Sequence, residues 1–489
     1  MSTVLEYDPK PAHASPAPVA APPVREKGIL GAGYRGTTLG VVLVITLMGF
    51  EAMSVGTVMP VIARDLDGLA LYAWGFSATL IAGLPANVLA GTWADRSGPA
   101  RPLLAGVATF VLGLVIAGAA PGMWTFVAGR AVQGLGTGIA LVATYVLIAR
   151  VYPERLHPRV FAALSAAWVL PTLIGPTLGG VLTEQVGWRF VFLGLIPLVI
   201  PPTAMLIPAM RGLGTSGEGQ DGGRDDGRDG GQGVSGASRG PRAGRHLAAV
   251  TAAVGTAVLL YGLDRPGWAI LPIAAAGLAG LGVGLPRLLP PGTLRMRRGL
   301  PSVVLARGLL AGAFFGTDVF IPLALTSLHD FTPTQAGVAL MVASLGWSAA
   351  SQIQGRSQRP RDFYARLGAV LILIGTVTTT VALHVEGWLA TPTWIIGGVG
   401  MGFAYGSLSV LLLSLSPKDE QGANSSALQI ADSLGSSLVI GVAGALAMAF
   451  GTDHLGLGLG VAGTVVASIA ALGVLAAFRL RPASAGERS

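Results

Sequence analysis

Apolar residues along this chain come in long runs, and the charged residues are collected into the short stretches between them. Fourteen runs reach about 18 residues, enough for a helix to cross the ~30 Å hydrocarbon core of a bilayer. Six lie between residues 37 and 210, a shorter pair between 247 and 285, and six more between 301 and 478. The pattern predicts an all-α polytopic membrane protein with spans arranged as six, two and six.

Composition agrees. Of 489 residues, 11% are charged and 52% hydrophobic, whereas a soluble domain carries about 25% charge. That shortage excludes an ordinary cytosolic enzyme. With the N-terminus inside, 27 of the 32 basic residues fall in inner segments. The outer loops hold only Arg64, Arg189 and Arg265, and the remaining two, Arg130 and Arg307, lie within spans. This asymmetry predicts that both termini are cytoplasmic. It also explains the pI near 10.2 as a basic rim facing anionic lipid, so no nucleic-acid partner is expected. Residues 1–35 lack the apolar core of a signal peptide and read as a disordered tail. Residues 211–245, with 13 Gly, 6 Arg and 5 acids, read as a flexible cytoplasmic linker. The expected organisation is a bundle at 36–210, an inserted hairpin at 246–286, a short linker at 287–300, a second bundle at 301–479 and a tail at 480–489.

Sliding the sequence by 264 positions places Gly91 on Gly355, Gly134 on Gly398, Gly136 on Gly400, Gly138 on Gly402 and Pro153 on Pro417. Span falls on span and loop on loop. A parallel repeat of six spans is a transporter plan, with the substrate site near the midplane between the halves.

Ionisable groups within spans are costly and need a reason. Glu51 lies about 20 Å into the first span at the helical rise. A carboxyl removed from water favours its neutral form, so Glu51 either exchanges a proton or is held by a neighbouring hydroxyl or Arg. Asp318 falls on Ser54 through the repeat, on nearly the same helix face as Glu51. The halves would then each offer an acid to one cavity. Arg130 is a candidate partner for one of them; its repeat counterpart is Trp394. Asp432 stands on a polar stripe with Ser425, Gln429 and Ser436, spaced for one face that must meet protein or a wet cavity. Binding of substrate and plain packing both fit that stripe. Arg307, near an inner helix end, is expected to snorkel to the surface.

Other chemistries find no residues. The three lysines, Lys10, Lys27 and Lys418, are in no phosphate-binding loop. The six His are scattered, and with no Cys thiolate metal sites and disulfides are excluded. No metal or cofactor is expected, and movement of a solute coupled to an ion gradient remains.

The motifs resemble the major facilitator superfamily, and within it the 14-span drug:proton antiporters. Gly91-Thr-Trp-Ala-Asp95-Arg96-Ser-Gly98-Pro-Ala-Arg101 is similar to the family's signature after the second span, where an acid, an Arg and a tight turn latch the cytoplasmic gate. Ala100 replaces one basic residue, and the second-half copy from Gly355 to Arg361 is degenerate. The fourth span resembles a second signature through Arg130, Gln133, Gly134 and Gly136, whose Arg is implicated in proton transfer. Pro171-Thr-Leu-Ile-Gly175-Pro176-Thr-Leu-Gly179-Gly180 is close to the antiporter motif, with Pro171 in place of its first Gly. Small residues there allow close helix approach. Gly187-Trp188-Arg189-Phe190 and Leu260 to Trp268 also resemble 14-span members.

The resemblance implies a monomeric, proton-coupled exporter of amphipathic drugs or toxic small molecules, working by alternating access. Glu51, Asp318 and Arg130 would handle the proton, with Gln133, Gln429 and Asp432 at the substrate cavity. Acidic cavity groups favour lipophilic cations. Two alternatives stay open: a nutrient symporter of the same fold, and a membrane sensor or lipid-handling protein that transports nothing. Arg outnumbers Lys 29 to 3, which associates the chain with a GC-rich genome and a bacterial plasma membrane.

Overall fold

The structure is a computed structural model, and it describes residues 28–31, 33–214, 242–264, 267–417 and 420–481. Most of the expected N-terminal tail and glycine-rich linker, and residues 482–489 of the C-terminal tail, lie outside the described residues. Among the described residues, fourteen helices are long and apolar enough to span a bilayer. The first six are α1 (Arg35–Asp65), α2 (Leu69–Ser97), α3 (Ala100–Gly118), α4 (Met123–Val151), α5 (Arg159–Gln185) and α6 (Trp188–Met210). The hairpin follows as α7 (Gly244–Leu263) and α8 (Ile270–Leu288). The last six are α9 (Leu300–Leu328), α10 (Pro333–Arg356), α11 (Arg361–Val385), α12 (Gly387–Leu415), α13 (Gln421–Met448) and α14 (Thr452–Ala477). No strand occurs among the described residues. Helices meet the requirement that backbone groups in hydrocarbon be bonded within their own segment. With an even number of spans, residues 28 and 481 end on one side of the bundle, here the terminal side. The opposite side is the distal side.

Glycines set the packing, and they reproduce the repeat. A side chain at Gly134 would strike the Thr79 carbonyl, and one at Gly398 would strike the Ala343 carbonyl, 264 positions on. Likewise Gly138 lies against Ala86 and the Gly83 carbonyl, and Gly402 against Ala350 and the Trp347 carbonyl. Helices α2 and α4 therefore cross as α10 and α12 do, which makes the two six-helix halves copies of one plan.

The halves are joined at the distal side. Gly180 of α5 abuts the backbone of Pro333, and Gly337 of α10 abuts that of Pro176. Glu184 accepts a hydrogen bond from the Thr334 amide at 2.8 Å. Beside them Ala73 of α2 is pressed on Gly444 of α13, and the Ser77 hydroxyl donates to the Ser437 carbonyl at 3.1 Å. Each of these residues lies in the distal half of its helix. On the terminal side, a side chain at Gly91 or Gly355 would meet nothing within 4 Å.

The hairpin sits across this seam. Leu260 of α7 fits against Gly441 of α13 and clusters with Ala253 and with Ile81 of α2. Trp74 Nε1 donates to Asp264 at 2.6 Å. Among the fourteen, α9 is the most enclosed and α8 the least.

Candidate functional site

Among the described residues, one charged cluster in each half lies in the middle of the spans. In the first, Glu51 of α1 pairs with Arg130 of α4, and each is 3% exposed. Arg130 also donates from Nη1 to Gln133 Oε1 at 2.8 Å and from Nε to the Gly75 carbonyl at 2.8 Å. The guanidinium is thus held by two neutral acceptors besides the carboxylate, so it keeps its place when Glu51 is neutral. Gln133 Nε2 is buried without a partner. Gly134 and Gly136 let α4 press against α2 and α3, and this brings the Arg130 side chain inward.

In the second cluster, Arg307 Nε donates to Asp432 Oδ1 at 2.9 Å and Nη1 to the Tyr405 carbonyl at 2.9 Å. Tyr405 gives its hydroxyl to Asp432 Oδ2 at 3.0 Å, and its ring lies beneath the guanidinium. The expectation that Arg307 snorkels is therefore wrong: it is 3% exposed. An ion pair and an aromatic face within reach outweigh extension to the surface. Both Asp432 oxygens are engaged, while Gln429 on the same stripe is exposed.

Asp318 differs from the other two acids. Its Oδ1 accepts from Trp394 Nε1 at 2.8 Å, and among the described residues it joins no ion pair. Trp394 is the repeat counterpart of Arg130. A neutral donor thus stands where the first half has a cation, and Asp318 is the one interior acid of the three without a counter-charge.

Around the antiporter-like motif, the Ser54 hydroxyl donates to the Gly175 carbonyl at 3.0 Å. Gly175 and Gly179 receive Met53 and Ser54 of α1, while Gly180 and Pro176 face α10. The motif therefore packs α5 on its own half and on the other. In the gate-like loop, Gly98 holds φ +76°, ψ 169°, a region essentially restricted to glycine. Arg150, which the sequence reading passed over, packs on this turn and donates to the Ala94 carbonyl at 3.3 Å. Asp95, Arg96 and Arg101 are exposed and form no ion pair among the described residues. In the loop motif after α5, Trp188 and Arg189 both donate to Asp65, at 2.8 and 3.0 Å.

Sequence reasoning missed Arg150, Trp394 as a donor, Tyr405, the pairing of Arg307, and Tyr72, whose hydroxyl donates to the Val319 carbonyl of the other half at 2.8 Å. Only Arg307 had a usable signal, because a lone Arg inside a span calls for an acid.

Fourteen spans, duplicated halves and interior charge clusters define a polytopic transporter. Residues 41–440 match the model of the Major Facilitator Superfamily, and the chain belongs to that family. It is a transporter and not an enzyme. A probable multidrug-efflux transporter of Mycobacterium tuberculosis (strain ATCC 25618 / H37Rv) is 27% identical, the alignment covering 91% of this chain and 94% of that protein. The multidrug transporter protein MdtP of Bacillus subtilis (strain 168) is 24% identical over 83% of this chain and 74% of its own. Among solved structures, a D-xylose-proton symporter superposes with TM-score 0.62 at 16% identity, covering 92% of this chain and 98% of the other. A POT family transporter in complex with 5-aminolevulinic acid gives 0.64 at 15%, covering 93% and 98%. Those two likenesses concern the fold. With its bacterial relatives, the chain is a multi-pass plasma-membrane protein.

Proposed function

We propose that this protein is a proton-coupled antiporter that exports amphipathic drugs or toxic small molecules. The observation that carries the coupling is Asp318, a carboxyl between the helices with no cation paired to it among the described residues. Such a group can take either a proton or a cationic substrate, which is the mutual exclusion that antiport needs. Two relatives named for multidrug efflux support the direction of transport. With the basic residues inside, the terminal side is cytoplasmic and the distal junction closes the outer mouth. The unlatched Asp95 loop fits a conformation open to the cytoplasm.

Glu51 and Arg130 form a second, balanced proton site, and Gln133 of the first half and Gln429 and Asp432 of the second belong to the substrate path. The organisation into two six-helix units and a hairpin, acting as a monomer without cofactor, is part of this reading. The test uses proteoliposomes loaded with a fluorescent lipophilic cation under an imposed pH gradient. Export should follow the gradient and fall about tenfold or more in Asp318→Asn and in Glu51→Gln. Wild-type rates in both variants at every pH would defeat the coupling assigned here.

A further inference from the structure

Three residues meet at one point of the distal closure, and we propose that Asp318, Val319 and Tyr72 form an outer gate that closes when the Asp318 carboxyl takes up a proton, with Tyr72 as its latch. Where the proton enters rests on the orientation and proton coupling proposed above; the gate itself rests on geometry. Helix α9 is interrupted at Val319, between Leu300–Asp318 and Phe320–Leu328. Pro322 causes the break, because it has no N–H to bond the Asp318 carbonyl one turn back. Tyr72, 1% exposed, donates its hydroxyl across the halves to the Val319 carbonyl at 2.8 Å. Its ring packs on Phe320 and Phe76, each at 5.6 Å between centroids. The latch and the uncompensated acid are therefore neighbours on one hinge.

Among the described residues, no charged group on the surrounding helices forms an ion pair with Asp318. On α1, Glu51 is paired with Arg130 and Asp65 with Arg189. On α11, both His384 nitrogens are bonded to carbonyls, of Thr380 and Gly456. Tyr405 and Asp432 are held with Arg307. Arg64, at the distal end of α1, forms no ion pair with Asp318, and Tyr72 spends its proton on Val319. Closing the gate thus encloses a carboxyl whose nearest donor is the neutral Trp394 indole. An ionised group enclosed without a counter-charge is strongly disfavoured. The closed state consequently binds the proton more tightly than the open one, and by linkage the proton favours closure. Acidic external medium shuts the gate and alkaline medium opens it.

The chain contains no Cys, so single cysteines report accessibility without background. Ser77→Cys lies beneath the gate at 0% exposure, and Val186→Cys is exposed at the α5–α6 turn. Intact cells are treated outside with a membrane-impermeant maleimide, and the Ser77→Cys rate is divided by the Val186→Cys rate. The ratio should rise several-fold from acidic to alkaline medium. It should be low and flat with Asp318→Asn, and depend on pH again with Asp318→Glu. Tyr72→Phe, which loses one hydrogen bond of the closed state, should raise the ratio about fivefold. Wild-type pH dependence retained in Asp318→Asn, or an unchanged ratio in Tyr72→Phe, overturns the gate. Should Asp318→Asn fail to reach the membrane, Asp318→Ser takes its place, and wild-type pH dependence retained in that variant overturns the gate as well. Labelling needs no transport, so a gate that responds while gradient-driven efflux is absent would sink the antiporter reading and spare this one. Val186→Cys that stays unlabelled from outside would overturn the orientation and the external gate with it.

Discussion

Arg130 has three acceptors, two of them neutral, whereas Glu51 has one cation. Removing either partner is therefore unequal in effect. Arg130→Met leaves a buried carboxylate unpaired, at a cost of about 3–5 kcal/mol, and should lower the apparent melting temperature of detergent-purified protein. Glu51→Gln leaves Arg130 bound to Gln133 and Gly75 and should cost less. If so, the double variant melts above Arg130→Met alone; a double variant that melts lower would mean the pair is not coupled. Glu51 was legible in the sequence because a carboxyl in an apolar run is conspicuous. Arg307 and Asp432 were individually visible too, but they are 125 positions apart, and only the crossing of α9 with α13 brings them together. Trp394 illustrates the limit of sequence reasoning. In an apolar span an indole reads as packing, and its donor role depends on Asp318 standing one helical turn beyond the counterpart of Glu51.

At the level of the helix, glycines decide where the backbone approaches and where it turns. The spans were readable to within a few residues because hydrocarbon thickness fixes their length, and the repeat was readable because glycine contacts recur at a constant offset. The proline break in α9 was not read, although Pro322 was in view, since a proline in a span has no fixed consequence until its carbonyl partner is placed. Gly98 is the sharpest case of a position that tolerates no side chain. Gly98→Ala puts a Cβ at φ +76° and should destabilise the α2–α3 turn by about 1–3 kcal/mol. The loss should appear as faster proteolysis at this loop in inside-out vesicles. Gly91→Ala, with open space around it, should leave proteolysis unchanged.

On the scale of the whole molecule, the two halves touch distally through backbone-to-backbone contacts that leave no room for a methyl group. A Cβ at Gly180 would stand 2.7 Å from the Pro333 carbonyl carbon, and one at Gly337 would stand 2.4 Å from the Pro176 oxygen. Neither neighbour is a flexible side chain, so Gly180→Ala must push α5 and α10 apart at the distal side. If each half moves as a rigid body about the midplane, distal opening brings the terminal ends together. Spin labels on cysteines at Gly91 and Gly355, repeat-related positions with free space in this conformation, measure that distance directly. In wild type the distribution should be long. Adding Gly180→Ala should shift its weight to shorter distances, while Gly175→Ala, whose nearest neighbour is Met53 of the same half at 2.9 Å, should not. A Gly180→Ala distribution that superposes on wild type would mean that the distal end opens without closing the terminal one. The halves would then flex independently, and the glycine contacts between α5 and α10 would be simple packing.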